Sequence, residues 1–261
     1  MNEMIKVGND SYGRYEELLL RRDAVRKEGY AYEIEYHRVF GELIIAVFRE
    51  QLKCAKKKKA IEFCQAAVNH GRAVEEEGVR MFVDEATGKL HAHLDRMVED
   101  YKSSKETGMV TELDLLRIKK IYHKLVKLIH PDINPKVGDS KELKELWNRI
   151  VTAYNNNDLK MLQELEVLTV KAVDRLNDGK PIEIEIPDIE RKITDLEEEI
   201  RTLIETDPYQ YKFLLADSDA VEAKKASLSQ ELKAFQEYGR HLDGILADYL
   251  SSGVDIKWLM N

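Results

Sequence analysis

The sequence predicts an all-α protein, and three observations lead there. All five prolines lie at position 131 or later, so the first 130 residues lack the residue that most effectively ends helices. The same stretch is rich in Glu, Lys, Arg, Leu and Ala, which lose little on entering a helix. Strand-like alternation occurs only at Ile182, Ile184 and Ile186, which alternate with glutamates between Pro181 and Pro187 and read as a short extended linker or an edge strand. With 43% hydrophobic and 34% charged residues, the chain is too apolar for disorder and too charged for a membrane protein. Its apolar runs are only a few residues long, as at 43–48, too short to cross a bilayer. Residues 1–10 lack a charged-then-apolar leader pattern, so a cytoplasmic protein is expected. A formal net charge of −8 argues against a general nucleic-acid binder. Two cysteines exclude a disulfide framework and a four-cysteine zinc site.

The N-terminal region, 1–105, reads as a helical bundle. Tyr32, Tyr36, Phe40, Leu43, Val47 and Leu52 recur at the step of one helix face. A second run uses Ile61, Cys64 and Val68 and ends at Asn69, His70 and Gly71, with the glycine supplying a left-handed turn. A third uses Val79, Phe82, Ala86, Leu90, Leu94, Met97 and Tyr101. Three or four helices, each hiding one stripe, imply a small bundle. Lys53 and the run Lys56 to Lys59 read as a solvated face. His91 and His93 point about 200° apart on a helix and cannot share a metal ion. Cys54 and Cys64 read as small core residues, separated by about 15 Å if they share a helix, too far for a disulfide.

At the other end, after a linker over 171–188 with a turn at Asn177 to Pro181, a C-terminal region spans 189–250. Ile189, Ile193, Leu196, Ile200 and Leu203 follow each other at steps of four, three, four and three residues, a heptad seam. Leu228, Leu232, Phe235, Leu242 and Leu246 make a second seam, with Gly239 in the missing core slot. Asp207, Pro208 and the polar residues from Ser218 supply turn and helix-start chemistry between them. Two seams joined by a broken connector predict an antiparallel, coiled-coil-like hairpin, a scaffold or a homo-oligomer contact.

The central region, 111–170, carries the chemical signal. Thr111 is placed to cap a helix in which Ile118, Ile121, Leu125, Leu128 and Ile129 share one face. Lys119, Lys120, His123, Lys124 and Lys127 occupy the opposite face, with no acid between Arg117 and Lys127 to support them at helical spacing. The helix must stop at His130, Pro131 and Asp132, and a turn-rich loop follows. A second helix bears Leu143, Trp147, Ile150 and Tyr154 as its apolar stripe and ends at Asn155; Asp158 then caps a short helix through Leu168.

Residues 122–135, with the His130-Pro131-Asp132 triplet closing a basic amphipathic helix, resemble the second helix and loop of the J domain of DnaJ-type co-chaperones. Residues 147–154 resemble that domain's third helix, so the match covers about 113–154. The resemblance implies that His130, Pro131 and Asp132, with Lys119, Lys120, His123, Lys124 and Lys127, dock on a DnaK-type chaperone and stimulate its ATP hydrolysis. Lysines suit an acidic partner surface and speed encounter, while proline keeps the loop stiff. The chain departs from the family pattern in three places. An aromatic-rich first helix is missing just upstream, where 103–110 is polar, so either the helix of Val79 to Tyr101, the nearest apolar third wall, replaces it or the domain is incomplete. Ile133 stands where a basic residue commonly follows the triplet, and His123 replaces a common Arg or Lys.

Phosphate loops, dinucleotide fingerprints and serine elbows are missing from the sequence, so the expectation is a non-enzyme without cofactor or metal. A co-chaperone whose flanking helices select a client is the first expectation. A helical scaffold that keeps the J fold as structure is the second, and a nucleic-acid binder using 53–59 and the basic helix the third.

Overall fold

The computed structural model describes residues 10–106, 111–134, 137, 140–177, 186 and 188–251. These residues form an all-α protein of eight helices: α1 (Asp10–Asn69), α2 (Glu76–Glu106), α3 (Glu112–Ile129), α4 (Lys141–Asn155), α5 (Leu159–Asn177), α6 (Ile189–Glu205), α7 (Tyr211–Ala216) and α8 (Ser218–Ser251). Among the described residues no strand occurs. The extended run between Pro181 and Pro187 lies outside them except for Ile186, and the expected linker yields its first residues to α5, which runs on to Asn177.

The expected bundle of three or four N-terminal helices is corrected to two, because the first two apolar runs lie on one 60-residue helix. No proline interrupts them, and a helix buried in stretches along its length can outgrow a single core. The end at Asn69 is as expected. Gly71 adopts φ 63°, its N–H donates to the Val68 carbonyl at 3.0 Å, and the Arg72 N–H donates to the Ala67 carbonyl at 2.9 Å. This is a Schellman closure, in which a left-handed residue lets two orphan carbonyls find donors.

The chain divides into two compact units, the first made of the residues up to 32 and from 108 to 211, the second of 33–107 and the residues from 212 onward. In the first unit one core is filled from every element: Tyr12, Tyr15 and Leu19 of α1, Ile118, Tyr122, Leu125 and Ile129 of α3, Leu143, Ile150 and Tyr154 of α4, Leu162 and Leu165 of α5, and Ile193 and Leu196 of α6. Each full burial of such a side chain is worth about 1.5–3 kcal/mol. The third wall against α3 and α4 is therefore α1 with α5, and the expectation that Val79 to Tyr101 supplies it is corrected. Val79 and Val83 pack instead with Ala60, Cys64 and Leu246 in the second unit.

The second unit has another small core around Phe40, Val47 and Leu228, joined by Leu214, Leu215, Leu232 and Phe235. Helices α1 and α2 meet there at Gly41, where a Cβ would come within 2.5 Å of the Tyr101 ring, a gap that only glycine fits. Cys54 and Cys64 are buried free thiols, as expected, and burial pushes both thiol pKa values up. Gly239 faces Cys54, whose Sγ would lie 3.5 Å from an added Cβ.

Each of the two expected seams contributes to a core of its own unit. Ile193 and Leu196 fill the first unit's core, while Leu228 and Leu246 fill those of the second, each beside α1 residues. Ile200 and Leu242 are buried as well. The expected turn between them is present over residues 206–210, and the Asp217 carboxylate accepts from the N–H groups of Asp219 and Ala220 to start α8.

Candidate partner-docking site

Helix α3 begins where the Thr111 hydroxyl oxygen accepts from the Asp114 N–H at 3.2 Å and ends at His130, whose N–H still donates to the Val126 carbonyl. His130 takes φ −63° and ψ 127°, the extended conformation that a following proline imposes. The chain then turns tightly. The Ile133 and Asn134 N–H groups both donate to the His130 carbonyl, at 3.0 and 2.8 Å, and the Asn134 side-chain amide donates to the Leu128 carbonyl. Ile133 and Val137 are fully buried. The departure at Ile133 thus has a physical reason: this position plugs the core, and a lysine there would bury its charge. Ser140 caps α4 by accepting from the Leu143 N–H, and Asp158 caps α5 by accepting from the Met161 N–H.

Behind the loop lies an aromatic stack. Tyr154 lies flat on Tyr122 at 3.7 Å between centroids, Trp147 flanks Tyr122 at 6.0 Å, and His130 meets Trp147 edge-on at 4.6 Å. Ile150 and Ala153 complete this contact between α3 and α4. The Lys27 ammonium of α1 caps the stack 3.8 Å above the Tyr154 ring, and burial pushes its pKa down to about 8.

His130 is not the exposed loop residue the sequence suggests. It is 2% exposed, and burial pushes its pKa down to about 4. Its Nδ1 lies 3.1 Å from the Asp132 N–H nitrogen, and its Nε2 lies 3.3 Å from an Arg22 guanidinium nitrogen. Arg22, from α1, also contacts Asp23 at 3.0 Å, Asp132 at 3.7 Å and Glu199 of α6 at 3.9 Å. Asp23 in turn accepts from the Tyr122 hydroxyl at 2.7 Å. Arg22, Tyr122, the triplet, Trp147 and Tyr154 border a cleft of about 350 Å³. Pro131 is half-buried, and the Asp132 side chain remains 46% exposed.

The basic face is smaller than the sequence implies, because acids arrive from other helices. Lys124 pairs with Glu166 of α5 at 3.0 Å and Lys127 with Glu16 of α1 at 2.8 Å. His123 is half-buried, and burial, with Lys119 and Lys127 nearby, pushes its pKa down. Lys119 and Lys120 are exposed and form no ion pair among the described residues.

Sequence reasoning missed Arg22, Asp23, Lys27 and Glu199, which lie far from the triplet in the chain. A signal was present for Arg22: it falls on the same stripe as Tyr12, Tyr15 and Leu19, a charged residue where the helix face calls for an apolar one.

The lysine run 53–59, expected to be a solvated face, is corrected at Lys57. That ammonium is buried in the second unit and reaches Asp243 of α8 at 2.8 Å. Lys53 and Lys59 pair with Glu50 and Glu62 along α1. His91 and His93 do diverge, His91 toward Lys56 and His93 onto the Phe48 ring. Among the described residues no helix is long and apolar enough to cross a membrane. Compared with family models, curated proteins and solved structures, the chain matches none.

Proposed function

We propose that this protein is a co-chaperone that docks on a DnaK-type chaperone through Asp132, Lys119 and Lys120 and stimulates its ATP hydrolysis. The observation behind this reading is the joining of three features in α3. A His-Pro-Asp triplet terminates the helix, uncovered lysines stand on its outer face, and its inner face stacks on Trp147 and Tyr154 of α4. The lysines speed encounter with an acidic surface, and the exposed Asp132 carboxylate offers a directional acceptor. The long helices α2 and α8 are the surfaces left to choose a client, and a cytoplasmic location follows from the partner. His123, Lys124 and Lys127 play a lesser part, since burial or pairing has already occupied them.

The test is single-turnover ATP hydrolysis by a DnaK-type chaperone with the parent protein, with Asp132→Asn, and with Lys119→Glu and Lys120→Glu together. Asp132→Asn alters an exposed side chain and leaves the fold intact, so it is cleaner than any change at the buried His130. Loss of stimulation in Asp132→Asn is expected, with the charge reversal weakening docking more at low salt than at high salt. A folded Asp132→Asn protein that stimulates as well as the parent would refute the reading. A scaffold that keeps this helical arrangement as structure alone is then the better account, and the burial of His130 is the observation in its favour.

A further inference from the structure

Two clusters besides the triplet hold polar side chains in concave or buried surroundings. The groove between α4 and α5 is bridged by the ion pair of Glu142 and Arg175 and has balanced charge, so it selects no ligand. The Lys57 ammonium lies 2.8 and 2.6 Å from the two Asp243 carboxylate oxygens, so the pair neutralises its own charge and leaves none for a ligand. The Arg22 cluster is different, because its hydrogen bonds do not close.

The conflict lies at the imidazole. The Asp132 N–H points at Nδ1 and the Arg22 guanidinium points at Nε2, and both are donors. A neutral imidazole has one acceptor nitrogen and one N–H, so only one of the two donors can be received in either tautomer. A protonated ring would receive neither, and burial opposes that form more strongly than the neighbouring Asp132 and Asp23 carboxylates favour it. The closed loop therefore carries one donor too many, whichever tautomer it holds. Arg22 is nevertheless fixed there, its side chain 12% exposed and gripped by Asp23, which Tyr122 anchors in turn.

Resting on the co-chaperone reading, we infer that Arg22 is an autoinhibitory clasp: it holds the triplet closed with His130 withdrawn from solvent, and a partner acceptor must draw it away before docking is complete. The cleft beside the triplet gives that acceptor a way in. The partner chemistry follows from the donors: a carboxylate or backbone carbonyl on the acidic surface that Lys119 and Lys120 meet first. An equilibrium held toward the closed form lowers apparent affinity by the fraction that is open, so weakening the clasp tightens binding without adding a contact.

Two variants and two readouts test this. Arg22→Gln removes the guanidinium, and Glu199→Gln removes its contact from α6 together with the exposed pair of Glu199 and Arg26, leaving the pair with Asp23 in place. Hydrogen exchange at the amides of Asp132, Ile133 and Asn134 reports the loop directly, since the last two donate to the His130 carbonyl and the first points at its Nδ1. The concentration giving half-maximal stimulation of a DnaK-type ATPase reports docking. Arg22→Gln is expected to speed exchange and to lower that concentration about tenfold, with Glu199→Gln moving both in the same direction by less. Faster exchange with an unchanged or higher half-maximal concentration overturns the clasp while leaving the co-chaperone reading standing. Unchanged exchange in both variants overturns the closed arrangement itself. No stimulation by the parent or by a variant with an opened loop refutes the co-chaperone reading and the clasp together.

Discussion

In the first unit, five helices and the loop after α3 send side chains into one continuous core; in the second, α1, α2, α7 and α8 share two smaller cores, around Phe40 and around Cys64. The polar groups differ in the same sense. The first unit buries His130 and nearly covers Arg22 and Asp23 in a network tied to the aromatic stack. The second unit buries Lys57 against a single partner, Asp243. A continuous core fixes the backbone on several sides at once, so it can hold a polar network in one geometry. Smaller cores hold helices together but put fewer walls around any one polar pair.

The largest effect should follow from attacking the first core where α1 enters it. Leu19 is fully buried, and Leu19→Ala is expected to cost about 2–5 kcal/mol, read as chemical denaturation followed by circular dichroism. A cost well under 1 kcal/mol would show that α1 is not a wall of that core and would remove the contrast between the units.

Acid should separate the units next. In the folded protein His130 stays neutral down to about pH 4, whereas in the unfolded chain it takes up a proton near 6.5. Its contribution is fully present above pH 6.5 and is lost as the pH falls through that window toward about 4. His130→Gln, although less stable at neutral pH, should show a smaller loss of melting temperature across the window. His123, also held below its ordinary value, remains in both proteins. Equal losses would mean that His130 is as open to solvent as a loop residue.

The smallest effect belongs to the second unit. Lys57→Met leaves Asp243 without its cation, but that carboxylate is 27% exposed and water can take over, so a cost of about 1–2 kcal/mol is expected. Adding Asp243→Leu should restore most of it, because the desolvation cost of the pair disappears with the pair. A double variant no more stable than Lys57→Met alone would assign the pair a specific role in the second unit comparable to that of Arg22 in the first.

Much of the fold could be read along the chain because it depends on local signals. Thr111 and Asp158 cap helices as their positions suggest, Gly71 turns left-handed after Asn69, and Trp147, Ile150 and Tyr154 face α3 at helical spacing. Misjudged features depended on partners distant in sequence. Nothing local tells whether the runs at Phe40 and Cys64 share one helix, since a break needs a turn signal and its absence is weak evidence of continuity. Nor can a heptad seam name all its neighbours: Ile193 joins the core that Tyr12, Tyr15 and Leu19 of α1 share, and Leu228 joins the one around Phe40 and Val47.

By itself the sequence determined the helical class, the ends of α3 and α4, and the stiff loop at His130, Pro131 and Asp132, because capping, proline geometry and apolar periodicity act within a few residues. Only the tertiary structure decided which charges remain free. Glu16 and Glu166 neutralise Lys127 and Lys124, Asp243 draws Lys57 out of water, and Arg22 closes over His130. Electrostatic pairing depends on distance in space and on exclusion of water, and residues 42 to 186 positions apart along the chain acquire both only when the helices pack.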